Sequence, residues 1–319
     1  MSLGAHVRTL GRGPGRSRAL TRDKAEDAMR LMLSGEADPH AVGALLMLLR
    51  MKGETAEEIA GFAGAAQASL PSLPQPALDW PSYAAGRTRG LPWFLLSARL
   101  VAMAGHSVLL HGWNGADRAV RGGLAAAGIP VAETPDQAAP LLNRHGIAYL
   151  PLETLSPPLF RLLGLREVLH LRSCINTVCR MLNPGRAKAS VQGVFHPSYR
   201  LLQADAGQIL GLNALSVIKG GGGEVETHPG KEIAVFGLRG GQPWETSLPA
   251  LLPDETRRLD DGTSDMALLS ALWSGQRRDR FAEAVVLGTA ALALDTLGHA
   301  EAMAEARMLW EKRPVTSPA

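Results

Sequence analysis

Residues 165–176 read LREVLHLRSCIN, residues 181–184 read MLNP, and residues 191–197 read VQGVFHP. The pattern predicts a turn at Asn183-Pro184-Gly185 and a strand over 190–195, because proline and glycine interrupt regular structure and short apolar runs suit buried strands. Such a strand, among helices and strands that alternate elsewhere in the chain, is typical of an α/β protein. These residues therefore indicate the fold class, and the flanking sequence extends it on both sides.

A helical segment precedes this region. Residues 47–59 read MLLRMKGETAEEI, in which Thr55 and Glu58 form a capping box, because each side chain can satisfy the other residue's free backbone amide. Helices are also predicted after Thr21 and after Asp38-Pro39, since Thr and Asp are good N-cap residues and proline is tolerated in the first turn. Three short helices predict a small helical unit over residues 20–69.

Beyond a connector rich in proline, helices and strands alternate. The predicted helices are 94–104, 116–127, 264–275 and 279–312, and the predicted strands are 107–111, 129–131, 190–195, 214–218 and 233–238. This alternation predicts an α/β layer with mostly parallel strand pairing.

Composition excludes several classes of protein. The chain has 319 residues, of which 46% are hydrophobic and 20% charged, so it is long enough to bury a sizeable core. It contains neither an apolar run long enough to span a bilayer nor a signal peptide, and we expect a cytoplasmic protein with no membrane partner. Its two cysteines, Cys174 and Cys179, predict reduced core thiols. The sequence lacks a Walker loop, a dinucleotide fingerprint, HExxH and GxSxG.

Acidic residues are absent from three long windows, 1–22, 80–116 and 168–204, although the formal net charge is only +3. If these windows meet in space they form a basic face suited to nucleic acid. A second interpretation stays open, because segments that are partly buried and apolar lack acids anyway, and it is the better account of residues 95–110.

The three opening stretches resemble, in order and spacing, segments of the anthranilate phosphoribosyltransferases of glycosyltransferase family 3, and residues 47–59 resemble that family's KGET segment. The resemblance implies a small helical domain plus a larger α/β domain with a mostly parallel central sheet. It also implies a helical dimerisation domain over 20–75 that is completed by helices within 155–185, and an α/β domain over 76–154 and 186–319. The arginines ahead of these domains predict a basic N-terminal arm over 1–19.

The likeness is weaker where the family holds its phosphoribosyl substrate. The family's GTGGDG cradle is replaced by residues 86–92, GRTRGLP, and its DGLDE magnesium segment by residues 221–226, GGGEVE. Glycine amides hold pyrophosphate by close approach, so bulky arginines predict a disrupted site and no catalytic residue or cofactor. If the enzyme is active, the resemblance implies magnesium at Glu224 and Glu226. Substrate would then contact the residues that match the family's binding positions: Gly86, Thr88, Ser97, His111, Arg166 and Asn176.

Two hypotheses of different classes follow. The first, which the basic windows favour, is a homodimer of a divergent, non-biosynthetic branch that binds DNA without sequence specificity. Its binding residues would be Arg87, Arg89, Arg180, Arg186 and Lys188. The second is an active transferase that moves phosphoribosyl to an aromatic amine such as anthranilate, with altered phosphate recognition. For Arg166, Arg172 and Glu224 a third role, in interior ion pairs that brace the interdomain hinge, is equally compatible with the sequence.

Overall fold

A computed structural model describes residues 2–13, 15–83, 90–113 and 119–315. The N-terminal helices are α1 (Leu3–Leu10), α2 (Arg22–Ser34), α3 (Pro39–Lys52) and α4 (Ala56–Ala68). The Asp38 carboxylate accepts hydrogen bonds from the His40 and Ala41 amides at the start of α3. At the start of α4, both hydrogen bonds of the predicted Thr55–Glu58 capping box are present. Local capping therefore fixes where these two helices begin.

The first residues of the chain do not form a separate arm. Leu3 and Leu10 of α1 are buried in the core of the helical domain, and the His6 ring lies 2.7 Å from the Asp27 carboxylate of α2. Residues 3–10 of the predicted basic arm therefore belong to the helical domain, because α1 is amphipathic and buries its apolar side against its neighbours.

A seven-stranded sheet forms the larger domain. The strands are β1 (Leu78–Ser82), β2 (Val108–Gly112), β3 (Ile147–Pro151), β4 (Ala189–Val194), β5 (Ala214–Lys219), β6 (Ile233–Arg239) and β7 (Gln242–Leu248). Their order is β3-β2-β1-β4-β5-β6-β7. The pairs from β3 to β5 are parallel, whereas β6 and β7 are antiparallel additions at one edge. The carboxyl ends of five strands consequently open at the same edge of the sheet.

Helices connect and cover these strands. They are α5 (Phe94–Met103), α6 (Ala119–Ala126), α7 (Ala138–His145), α8 (Leu152–Leu155), α9 (Pro157–Gly164), α10 (Arg166–Leu169), α11 (Ile175–Arg180), α12 (Tyr199–Ile209), α13 (Ala267–Trp273), α14 (Arg280–Thr296) and α15 (Ala302–Lys312). The predicted helix over 279–312 is divided into α14 and α15 near Gly298, whose φ is +98°. The predicted strand over 129–131 is reduced to one bridge between Val131 and Tyr149.

Two large apolar cores organise the molecule. One lies between the sheet and helices such as α5 and α14. The other joins α1–α4 to α8, α9 and α11, so helices within 155–185 pack with the N-terminal helices. Both cysteines are free and buried, and burial raises the pKa of each thiol. Within the described ranges, every helix is too short or too polar to cross a bilayer.

Candidate ligand site between the two domains

The carboxyl edge of the parallel strands faces the helical domain, and a cavity of about 340 Å³ lies at this junction. Its walls come from the end of α3, the 170–173 turn, α11, the end of β4 and α12. Crevices at the carboxyl ends of parallel strands are the usual ligand sites of such sheets, and this volume falls in the range of small-molecule pockets. Its polar and charged lining includes Arg50, Arg172, Asn176, Arg180, Tyr199 and Gln203.

Arg180 is the buried charge of this cavity. Its residue is only 6% exposed, and its guanidinium donates to Asn176 Oδ1 at 2.5 Å and to the Tyr83 carbonyl at 2.9 Å. Burial lowers the pKa of Arg180, while the neighbouring Glu224 carboxylate opposes that shift. An arginine stays charged under such conditions, so a fixed positive charge sits where β1 ends.

Gly223 gives this guanidinium its space. The glycine has a φ of +98°, and a Cβ added there would lie 3.2 Å from Arg180 Nη2. Positive φ and close approach are both conditions that favour glycine. The glycine run at 220–223 therefore lets the chain pass close to the arginine.

The location of Arg180 corrects the prediction that it binds nucleic acid. A side chain that is almost completely buried and bonded to Asn176 and Tyr83 does not reach a phosphate backbone. The sequence signal misled because arginine is mostly exposed in proteins, and burial becomes tolerable only when partners satisfy the charge.

Two further polar side chains of the cavity, those of Arg50 and Tyr199, bond to neighbouring residues. Arg50 Nη1 donates to the Arg172 carbonyl at 2.7 Å, which ties the end of α3 to the 170–173 turn. Tyr199 Oη donates to Glu54 Oε2 at 2.9 Å. Burial, followed by the charge of Glu54, raises the pKa of Tyr199 to about 12. The phenol therefore remains a neutral hydrogen-bond donor at physiological pH.

His111 lies in an interior network instead of a substrate site. It is fully buried, and its Nδ1 lies 2.9 Å from Tyr83 Oη while its Nε2 lies 3.1 Å from Asp79 Oδ1. Ser190 Oγ donates to the other oxygen of Asp79 at 2.7 Å. The prediction that His111 contacts substrate is corrected, because both ring nitrogens bond to residues of the β1 segment, while Asp79 links that segment to β4 through Ser190.

Ser97 and Arg166 also have different surroundings from those predicted. Ser97 is fully buried, and its hydroxyl donates to the Val286 carbonyl of α14 at 3.0 Å, so the prediction that it binds substrate is wrong. The Arg166 guanidinium lies 5.7 Å from the Trp113 ring centroid and 3.8 Å from the Glu167 carboxylate, and Arg166 is not among the residues that line the cavity. Of the predicted substrate residues described, Asn176 lines the cavity.

Glu224 and Glu226 are the predicted magnesium ligands, and both are buried. Glu226 Oε1 accepts a hydrogen bond from the Phe94 amide at 3.1 Å, which places its charge at the N-terminus of α5, where an anion is favoured. Glu224 lies in the field of Arg180. The described ranges contain no cluster of three or more metal-binding side chains. Magnesium is usually held by one or two carboxylates together with water and substrate phosphates, so magnesium at Glu224 and Glu226 stays a prediction.

Four predicted site residues, Gly86, Arg87, Thr88 and Arg89, lie outside the described residues. Arg186 and Lys188 are described, and both are exposed. They precede β4, whereas the cavity lies beyond its carboxyl end. Six residues of β4 at about 3.3 Å each separate the two places by about 20 Å. The basic side chains of the acid-free window 168–204 therefore lie in different places and do not form a single face.

Sequence reasoning missed Arg50, Tyr199 and Gln203. Arg50 lies beside the KGET segment, and Tyr199 and Gln203 follow the strand that ends at Val194. The position of α12 directly after a predicted parallel strand was a usable signal, because such connections line the carboxyl edge of a sheet.

Sequence models of two domains match the chain. One describes the helical bundle domain of a glycosyl transferase family and matches residues 6–70, and the other describes the α/β domain of that family and matches residues 95–312. The chain belongs to this glycosyl transferase family. The predicted fold class, a helical domain with a larger and mostly parallel α/β domain, is confirmed for this family member.

Similar proteins of the family are anthranilate phosphoribosyltransferases. The protein of that name from Rhodopseudomonas palustris (strain BisA53) is 31% identical over 269 residues, which span 81% of this chain and 79% of the relative. That from Geobacillus kaustophilus is 29% identical over 305 residues, covering 90% of this chain and 88% of the relative. The family member described here is thus anthranilate phosphoribosyltransferase-like along most of its length.

Solved structures give the same fold. Anthranilate phosphoribosyltransferase from Thermus thermophilus has a TM-score of 0.81 at 22% identity, covering 98% of this chain and 94% of that chain. The Saccharomyces cerevisiae enzyme in complex with PRPP and Mg has a TM-score of 0.77 at 16% identity, covering 97% and 93%. These likenesses establish the fold of the family member.

Proposed function

We propose that this protein is a phosphoribosyltransferase that holds its anionic substrate with arginine side chains and transfers the sugar to a small aromatic amine such as anthranilate. The observation that carries the proposal is the interdomain cavity, where Arg50, Arg172 and Arg180 converge with Asn176. Its family relatives are named for the same reaction. This function was the alternative interpretation of the sequence.

Arginine suits the chemistry of the proposed transfer. The bond between the anomeric carbon and pyrophosphate breaks, a bond from that carbon to the amine nitrogen forms, and the amine loses a proton. Negative charge then accumulates on the departing pyrophosphate. A guanidinium held in place before the reaction stabilises such charge without reorganisation, and the two hydrogen bonds of Arg180 hold it in this way. Magnesium, when bound, would be held by Glu224 and Glu226 and would neutralise part of the charge on the pyrophosphate.

The test is turnover of PRPP with anthranilate, combined with calorimetric titration of PRPP alone. Arg50→Ala is the informative variant, because Arg50 is exposed and its loss leaves no buried charge. Removal of one charge-assisted contact lowers kcat/KM by about 10- to 100-fold. Arg161→Ala is the matched control, since Arg161 is an exposed arginine on α9 outside the cavity lining. Absence of both turnover and PRPP binding would overturn the proposal.

Nonspecific DNA binding by a homodimer is the second candidate function. Arg186 and Lys188 favour it, because both are exposed and no acid lies within fifteen residues of either in the sequence. Binding would release counterions from the DNA. A plot of the logarithm of the binding constant against the logarithm of the salt concentration would therefore have a slope of about −0.9 for each phosphate neutralised on duplex DNA. Replacing both with Ala would make the slope shallower by up to about two units. The control pair Arg144→Ala and Arg307→Ala removes two exposed cations elsewhere.

DNA titrations at several salt concentrations decide between the outcomes. Binding that is absent at low salt, or that keeps its strength and slope in the Arg186/Lys188 double variant, excludes this face.

A further inference from the structure

A second cavity, of about 280 Å³, lies at the antiparallel edge of the sheet. Its walls come from the 227–231 segment, β6, the end of β7, α14 and the start of α15. Among the residues that the structure describes, this cavity and the interdomain cavity share no lining residue. Its volume lies just below the range that is usual for drug-sized ligands, so the space suits a smaller molecule.

The lining of this second cavity is mostly apolar. Ala291 and Leu292 contribute to it from α14, and Leu251 and Met303 add further apolar side chains. Methionine adapts its shape to a ligand, because its side chain is unbranched and flexible. Water in such a space finds few hydrogen-bond partners. A ligand with an apolar body that displaces this water is therefore stabilised by burial.

Hydrogen bonds hold the walls in place without a ligand. The Thr227 amide donates to Thr289 Oγ1 of α14 at 3.0 Å. The Leu252 amide donates to the Pro229 carbonyl at 2.9 Å. The 227–231 segment is thereby fastened both to α14 and to the chain that follows β7. A pocket that is formed before binding loses less conformational freedom when a ligand enters.

Lys231 decides which charge the ligand should carry. Asp295, the acidic side chain of the lining, is paired with Arg239 at 2.5 Å. Burial, followed by the nearby charge of Lys231, lowers the pKa of His228, so this ring of the lining is neutral at physiological pH. Within the described ranges the Lys231 ammonium forms no ion pair. An exposed cation beside an apolar cavity complements a molecule with an apolar body and one negative charge.

We propose that this second cavity binds a small apolar carboxylic acid, with its hydrocarbon body against α14 and α15 and its carboxylate beside Lys231. The site does not depend on the proposed transferase, because it lies at the antiparallel edge and the transfer is assigned to the interdomain cavity. A straight-chain acid of eight carbons, octanoate, is the probe.

Calorimetric titration of the full chain with octanoate, 1-octanol and octylammonium tests the preference for an anion, because these ligands share one apolar body and differ in the head group. We expect octanoate to bind most tightly and octylammonium to bind about 5-fold or more weakly. Hexanoate should bind about 15-fold more weakly than octanoate, since each buried methylene contributes about 4-fold. Equal affinities for octanoate and octylammonium, or for octanoate and hexanoate, would overturn the inference.

Two variants separate the apolar and the charged parts of the site. Ala291→Phe places a ring in the cavity and should abolish binding of both octanoate and 1-octanol. Lys231→Met should weaken octanoate binding by about 2- to 5-fold and leave 1-octanol unchanged. Lys312→Met is the matched control, since Lys312 is an exposed lysine of α15 outside the lining. Octanoate binding that survives Ala291→Phe would place the acid elsewhere and refute the site.

A measurement on the wild type does not depend on the folding of variants. The methyl signal of Met303 in a carbon–proton correlation spectrum should shift on addition of octanoate. The methyl signal of Met308, which is 42% exposed on the same helix and outside the lining, should stay in place. A Met303 signal that does not move while octanoate binds contradicts the assignment. A dimer that Ala291→Phe dissociates, without octanoate binding, would also contradict it, because a second copy of the chain would then occupy the cavity.

Discussion

Glu58→Ala should destabilise the helical domain by about 2–4 kcal/mol. Glu58 is 0% exposed, and one of its oxygens accepts from the Leu20 amide at 2.8 Å. The other oxygen accepts from the Thr55 amide at 2.9 Å and from Lys52 Nζ at 2.9 Å. Leaving the buried Leu20 amide unpaired costs about 1–3 kcal/mol, and loss of the capping box costs about 1 kcal/mol. The Lys52 ammonium returns to water and adds little.

Urea denaturation monitored by circular dichroism measures this loss, and amide hydrogen exchange at Leu20 reports it locally. Glu57→Ala is the control, since Glu57 is exposed in the same first turn of α4. Glu58→Gln should fall between the two, because it keeps one acceptor oxygen. A free energy of unfolding for Glu58→Ala within about 0.5 kcal/mol of the Glu57→Ala value would refute this prediction. Glu58 would then not stabilise the segment that precedes α2 through the Leu20 amide.

Three further predictions concern pH, the glycine run and assembly. Burial alone would raise the pKa of Asp279, but hydrogen bonds from Arg257 and from the Ala282 amide outweigh it and the pKa is lowered. The stability from this lowering is present above the unfolded pKa of about 3.9 and is lost as pH falls through the lower folded value. The thermal midpoint should therefore drop more steeply below about pH 4 in the wild type than in Arg257→Met, and parallel curves would contradict this. Gly223→Ala should lose about 1–3 kcal/mol and bind PRPP more weakly, whereas Gly211→Ala, with positive φ and open space, should leave PRPP affinity unchanged in the same titration. We also predict a two-fold dimer through residues 20–69, where Met51 is 82% exposed; light scattering should give a dimer that Met51→Glu dissociates, and a wild-type monomer at micromolar concentration would disprove it.

The motifs that resembled the family turned out to be largely structural where the structure describes them. Gln67 Nε2 donates to the Leu182 and Asn183 carbonyls at 3.1 and 2.9 Å, which fastens the MLNP segment to α4. The Asn183 side chain closes its own turn through both the amide and the carbonyl of Ala187. These residues could be located from the sequence, but their partners could not, since those lie on distant elements or depend on the turn geometry.

The sequence by itself determined the features that depend on neighbours a few residues away. The caps at Asp38 and Thr55, and the strands over 190–195, 214–218 and 233–238, are predicted because N-cap hydrogen bonds and short apolar runs are local properties. Strand β1 was hidden in a segment that proline marked as a connector, and β3 gave no clear pattern. Both are strands because parallel neighbours satisfy their backbone groups, and pairing of that kind has no local signal.

Only the tertiary structure decided the roles of the site residues. Ser97 finds its partner in Val286 and His111 finds its partners in Asp79 and Tyr83, all far away along the chain. Arg180 becomes a buried charge instead of a surface contact because α11 packs at the carboxyl end of β1, where the Tyr83 carbonyl is available. Burial and partners across the sheet follow from how distant segments pack, so residue type alone does not determine whether a charged side chain faces solvent or a cavity.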